Sequence, residues 1–219
     1  TTTQKTLSVK SAQAIVGSLS KPSKMPCHGY SIPAIHCKIG QKMRSVKGSV
    51  CSVCYALKGR YVFPNVIAAM EKRFTSLHHV AWQQMLTFLI GKQEKSGFFR
   101  WHDSGDLQGL AHLELIAAVC DATPGCMHWL PTREYGIVKA FVAKHGKIPA
   151  NLVIRLSAMY PDKPVMIPAS LRGIAGIAAS NVHTSQPIGS DCNASKQNGE
   201  CRECRTCWNR TKTVSYAMH

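Results

Sequence analysis

The chain has 219 residues, 45% of them apolar, which is enough to bury a full hydrophobic core. No charge-free apolar run approaches the roughly 20 residues that span a bilayer, so no membrane role is expected. Lysine and arginine number 27 against 11 acids, a formal charge of +16, and an excess of that size asks for a polyanionic partner, nucleic acid or a phosphorylated substrate.

Residues 1–50 are rich in Ser, Lys, Pro and Gly and read as an extended, loop-like segment with one short helix at 11–19. Residues 1–10 lack the basic-then-apolar layout of a signal peptide, so a cytoplasmic setting with reduced cysteines is expected. Over 64–95, Val66, Met70, Phe74, Leu77, Ala81, Met85 and Phe88 recur at helical spacing, which predicts one long amphipathic helix with Pro64 in its first turn. Strand and helix patterns then alternate: strand 98–102, helix 107–120, strand 127–130, helix 134–145 and strand 152–157. An irregular stretch, 161–172, leads to a short strand at 176–181. This order predicts an α/β fold, either a partial (β/α) barrel or an open parallel sheet with crossover helices. The organisation expected is a basic segment 1–63, an α/β core 64–184 and a Cys-rich segment 185–219, together forming one integrated domain.

Eight of the ten cysteines fall in two groups: Cys27, Cys37, Cys51 and Cys54, and then Cys192, Cys201, Cys204 and Cys207. A thiolate every third residue lets a tight turn aim successive sulfurs at one point, as a metal ion or iron–sulfur cluster requires. Disulfide pairing at that spacing would strain the loop. The evenly stepped Cys201, Cys204 and Cys207 suit a [4Fe–4S] cluster, with zinc as the alternative metal, and a second cluster is expected at the N-terminal group. In that group Cys51 and Cys54 are the firmest ligands, and Cys27 is either the fourth ligand or a bystander. Cys120 and Cys126 read as small buried hydrophobes. Segment 185–219 holds few apolar residues, so a metal centre is expected to organise it.

In parallel α/β folds the reactive groups gather at the carboxyl ends of the strands. Here those ends carry Asp103, Ser104, Gly105 and Asp106, then Arg133, then Arg155. Asp103, Ser104, Asp106, Arg133 and Arg155 are therefore the candidate catalytic residues. Asp103, Ser104 and Thr132 also suit plain helix caps, and His102 reads as a hydrogen-bonded, partly buried imidazole rather than an acid–base group.

The run Cys51-Ser-Val-Cys54-Tyr-Ala, a long helix and a glycine-bearing strand end resemble radical S-adenosylmethionine enzymes. That likeness implies a three-thiolate cluster with one open iron, and S-adenosylmethionine bound in part by Ser104, Gly105 and Asp106. Thirteen residues stand between Cys37 and Cys51, more than in the common pattern of those enzymes. Residues 31–34, Cys54 to Tyr61, Arg100 to Asp106, Trp129 to Glu134 and Cys192 to Trp208 more closely resemble the gene product 88 family of phages and plasmids. This resemblance implies a mobile-element protein working in bacterial cytoplasm. The expected function is that of an iron–sulfur enzyme acting on nucleic acid or a nucleotide. Its rival is a non-catalytic nucleic-acid-binding or host-modulating protein stapled by iron–sulfur or zinc sites.

Overall fold

The structure, a computed structural model, describes residues 7–218; residues 1–6, which include Lys5, and residue 219 lie outside it. Seven parallel strands build one sheet: β1 (His28–Tyr30), β2 (Phe98–Trp101), β3 (Met127–Thr132), β4 (Leu152–Ser157), β5 (Ile177–His183), β6 (Ser190–Asp191) and β7 (Val214–Ala217). Their spatial order is β1-β2-β3-β4-β5-β7-β6, and every pairing is parallel. Strands β1 to β5 lie in chain order, so successive crossovers run the same way and lay their helices on one face.

That helical layer comprises α1 (Val9–Val16), α4 (Trp82–Gln93), α5 (Leu110–Asp121) and α6 (Tyr135–His145), packed side by side. Two further helices, α2 (Lys38–Arg44) and α3 (Pro64–Ser76), belong to the long excursion between β1 and β2. Strand alternation divides the core in two. Phe99, Trp101, Leu130, Leu152, Ile154 and Leu156 face the helices. Trp129, Val153, Ala178 and Val214 face the other way, where Cys27, Cys207 and Trp208 cover them. The Cys-rich C-terminal segment is thus the second covering layer of the sheet.

The strands expected at 98–102, 127–130, 152–157 and 176–181 are present with small changes of boundary. The long helix expected over 64–95 is instead two, α3 and α4. Ser76 Oγ donates to Arg73 O (2.7 Å), and the chain turns through 77–81, where Val80 is fully exposed. Trp82 then enters the core and donates from its indole nitrogen to Tyr30 Oη (3.2 Å). The N-terminal segment is less loop-like than its composition implies. It contributes α1, capped by the reciprocal Ser8–Ser11 pair, and also β1 and α2. No helix among the described residues is long and apolar enough to cross a membrane.

Candidate functional site

The carboxyl end of β2 turns sharply. His102 has φ 53° and Gly105 φ 84°. A Cβ on Gly105 would lie 2.3 Å from Ile32 Cγ1 and 2.6 Å from Ile32 O, so only glycine lets the turn press against the N-terminal segment. Ile32 N donates to Ser104 O (3.2 Å), and Asp103 N donates to Ser31 Oγ (3.1 Å). Two tyrosines close over the turn: Tyr55 Oη donates to Asp103 O (2.5 Å) and Tyr61 Oη to Asp103 Oδ2 (3.0 Å).

Asp106 is buried and accepts three hydrogen bonds, from Thr132 Oγ1 (2.6 Å), Leu107 N (2.8 Å) and Arg133 N (2.9 Å). It ties the end of β2 to the end of β3. Burial, only partly offset by those donors, pushes its carboxyl up to about 6. The neighbouring polar atoms are less well served. Asp103 Oδ1, Ser104 Oγ and both ring nitrogens of His102 are buried without a hydrogen-bond partner among the described residues. The expectation that His102 is satisfied therefore does not hold. Burial, with His112 and Arg100 nearby, drives its pKa well down and keeps the ring neutral.

Three N-terminal cysteines stand beside this turn. Cys37 caps the start of α2, where Glu134 Oε1 accepts from Ile39 N (2.7 Å). Cys51 lies within a short 3-10 turn, Val50–Val53, which Ser49 caps at its start and Cys54 ends. Burial raises the Cys37 thiol, and Asp106, Cys54 and Cys51 add to the effect while Arg133 opposes it. Burial also raises Cys51, which feels Arg133, Cys54 and Asp106 in turn. The three thiols, Asp106 and Arg133 thus share one electrostatic environment. A side chain on Gly40 would meet Cys37 Cβ at 2.7 Å, so Gly40 leaves the space over that thiol open. Arg133 Nε donates to Ala158 O (2.9 Å), which fixes the guanidinium beside the thiols.

Cys27 goes elsewhere. It precedes β1, whereas Cys37 follows it, and a strand's length separates the two. Cys27 is buried on the inner sheet face with Cys207 and Trp208. Its thiol is pushed up to about 12 by burial first, with Glu94 and the cysteines Cys126 and Cys201 adding to this. The C-terminal segment is seated there by local contacts. Cys201 N donates to Lys24 O (3.1 Å), and Cys201 Sγ lies 3.7 Å from Met25 Sδ. Cys207 Sγ lies 3.2 Å from Tyr216 Oη, Cys204 Sγ lies 3.3 Å from Thr206 Oγ1, and Cys192 N donates to Ser215 O (2.8 Å). Burial raises Cys192, Cys201 and Cys207, whereas hydrogen bonding from Thr206 lowers Cys204.

All ten cysteines are free thiols. As the side chains stand, no three His, Cys, Asp or Glu groups among the described residues converge at metal-binding distance. Cluster-wrapping by the two Cys-rich segments is accordingly an expectation that the geometry does not display. The donor chemistry is nonetheless suitable. No hydrogen bond among the described residues occupies the sulfurs of Cys37, Cys51 or Cys54, and thiolate sulfur is a ligand that both zinc and iron–sulfur centres accept.

The chain belongs to the gene product 88 family. The family profile matches residues 1–210, taking in both cysteine groups and the whole rim. No curated protein and no solved structure matches the chain. The comparisons lend no support to the likeness to radical S-adenosylmethionine enzymes.

Within this gene product 88 fold the predicted site residues separate. Asp103, Ser104, Asp106 and Arg133 come together with Cys37, Cys51 and Cys54. Arg155 does not join them in a pocket. It is fully buried, and its guanidinium donates to five backbone carbonyls, those of Cys207 (2.9 Å), Ala179 (3.0 Å), Lys212 (2.6 Å), Thr206 (2.9 Å) and Asn209 (2.6 Å). It organises the C-terminal segment. Gly105 and Ser104 are packed inward rather than open to a cofactor's amine. Sequence reasoning missed Tyr55 and Tyr61 as the clamp on Asp103, Glu134 as the cap of α2, and Arg100 on the inner face. Alternation along β2 could have found Arg100, since Phe99 and Trp101 commit the opposite face to the helices.

Proposed function

We propose that the chain is an iron–sulfur enzyme of a mobile genetic element, acting on nucleic acid or a nucleotide at the carboxyl-end rim of its sheet. Cys37, Cys51 and Cys54 would hold the reactive centre, and Cys192, Cys201, Cys204 and Cys207 a second, structural or electron-relaying one. The observation that carries the reading is the partition of the N-terminal cysteines. With Cys27 on the inner face, three thiols remain beside Arg133 and Asp106. Three thiolates leave a cubane one open coordination position for a substrate or cofactor, whereas four would close it.

When bound, such a centre supplies one-electron chemistry or a Lewis-acidic iron. The chain's own residues would do the rest. Arg133, braced on Ala158 O, offers cationic donors for an anionic group. Asp103, half-buried beside Tyr61, offers its free carboxylate oxygen to whatever fills the rim. Asp106 holds the ends of β2 and β3 in register. If S-adenosylmethionine is the ligand, these groups rather than the closed Gly105 turn would meet it.

The test is anaerobic purification and reconstitution, with iron, sulfide and zinc assayed on the wild type and on two triple variants, C37A/C51A/C54A and C201A/C204A/C207A. The reading expects iron and sulfide in the wild type and loss of about half in each variant. Binding or cleavage of S-adenosylmethionine should disappear only in the first. Zinc without sulfide would favour the rival, a non-catalytic nucleic-acid binder. Absence of iron, sulfide and zinc alike would overturn the reading.

A further inference from the structure

The first seventy residues contain ten lysines and arginines and no aspartate or glutamate; the first acid in the chain is Glu71. The fold gathers part of this charge at the rim. Between residues 38 and 63 lie Lys38, Lys42, Arg44, Lys47, Lys58 and Arg60, again without an acid. None of the six forms an ion pair among the described residues. The rim carboxylates cannot neutralise them from nearby, since Asp106 and Glu134 are buried and engaged and Asp103 is clamped by Tyr61.

The same stretch exposes apolar and aromatic surface. Phe63 is 53% exposed and Tyr55 43%, with Lys58 and Arg60 between them in the chain. Val50 N donates to Met159 O (2.9 Å), which brings the β4 end alongside, where Tyr160 is also 43% exposed. Unpaired cations interleaved with exposed rings are what a single-stranded nucleic acid requires. The cations track its phosphates, and every base has a face that can stack on an aromatic ring. A duplex hides those base faces and would use the charges alone.

We infer that residues 38–63, with Tyr160, form a docking surface for single-stranded nucleic acid, laid over the Cys37/Cys51/Cys54 site. This deepens the reading above by naming the strand that would present a nucleotide to the rim, and it can be tested without reference to the metal. Fluorescence anisotropy on the purified full chain should show tighter binding of labelled 15-nucleotide single-stranded DNA or RNA than of the corresponding duplex. The DNA and RNA arms distinguish the two sources of the strand.

Four to five neutralised phosphates on a single strand give a slope of log affinity against log salt of roughly −3 to −3.5. K58A/R60A should reduce its steepness by about 1 to 1.4. Phe63→Ala and Tyr160→Ala should each weaken single-strand binding about 5- to 100-fold and leave duplex binding unchanged. Equal affinity for duplex and single strand with no effect of Phe63→Ala would overturn the inference. So would concentration-dependent self-association abolished by Phe63→Ala, without oligonucleotide binding. Normal iron content with no binding sinks the docking surface alone, and strong binding by a metal-free protein sinks only the cluster.

Discussion

Arg155 offers the sharpest test of how the C-terminal segment is held. Its guanidinium makes five hydrogen bonds of 2.6 to 3.0 Å, four of them to carbonyls of residues 206–212. Arg155→Met keeps most of the apolar stem and leaves all five acceptors without their donor. Hydrogen bonds to a charged donor contribute about 1.5–3 kcal/mol each, but summing five would exceed the stability of most domains. The variant also relieves the cost of burying the charge, and carbonyls retain a second lone pair for water. Removing one side of a buried charged network costs about 3–5 kcal/mol, and that is the loss expected here. With a urea slope near 3 kcal/mol/M, the midpoint should fall by about 1–2 M. Arg155→Lys, a point charge with fewer donors in a different geometry, should recover only part of it. Trypsin should cut at Arg202 and Arg205 faster in the methionine variant than in the wild type under native conditions. A midpoint shift equivalent to less than about 1 kcal/mol would refute the claim that this side chain anchors the segment.

Gly105→Ala should cost about 2–4 kcal/mol, from a left-handed φ and a Cβ driven into Ile32, and a thermal melt within about 2 °C of the wild type would contradict it. Burial, aided by His78, pushes His112 down to about 3, and burial alone does the same to His128, so both are neutral when folded. The unfolded chain protonates them near 6.5, so their contribution is fully present above that pH and is lost as pH falls toward 3. At pH 5.5 the loss is roughly 1.4 kcal/mol for each. Urea melts of the wild type at pH 7 and 5.5 should show it, and His112→Leu should flatten the pH dependence by about one proton.

How much of this was legible depends on how local the signal is. Strands β3 to β5 are buried on both faces and β2 on the helix face, and all four stand between turn residues, so the parallel sheet and its crossover helices could be anticipated. Strands β1 and β7 are three and four residues long and carry no apolar run. Helix α2, Lys38–Arg44, has no buried residue, and hence no apolar stripe to betray it. Apolar periodicity continues through 77–81 although the helix does not, because Leu77 and Trp82 both stay in the core across the break. The rim residues Asp103 to Asp106 and Arg133 follow from a general property of parallel sheets. The partners of Arg155 do not, since they are main-chain atoms 24 to 57 residues away. Cys27 is near Cys37 in sequence, but a strand between them sends one to each end of β1.

Arg100 stands between the inner sheet face and the rim turn. On β2 it faces away from the helices, and its guanidinium stacks 4.5 Å over the Trp129 ring. Its polar contact from Nη1 to Met25 Sδ is long (3.7 Å), and its Nε has no hydrogen-bond partner among the described residues. Desolvation alone would lower its pKa, yet Tyr55, Asp103, Tyr61 and Tyr216 outweigh burial and raise it. In one direction it lowers the thiols of Cys27, Cys192, Cys201 and Cys207. In the other it bears on the two tyrosines and the aspartate that close the rim turn. A guanidinium without a direct carboxylate partner, held between thiols and tyrosines, is stabilised most when negative charge develops on the sulfurs. Arg100 therefore lies electrostatically between the thiols of the inner sheet face and the tyrosines and aspartate of the rim turn.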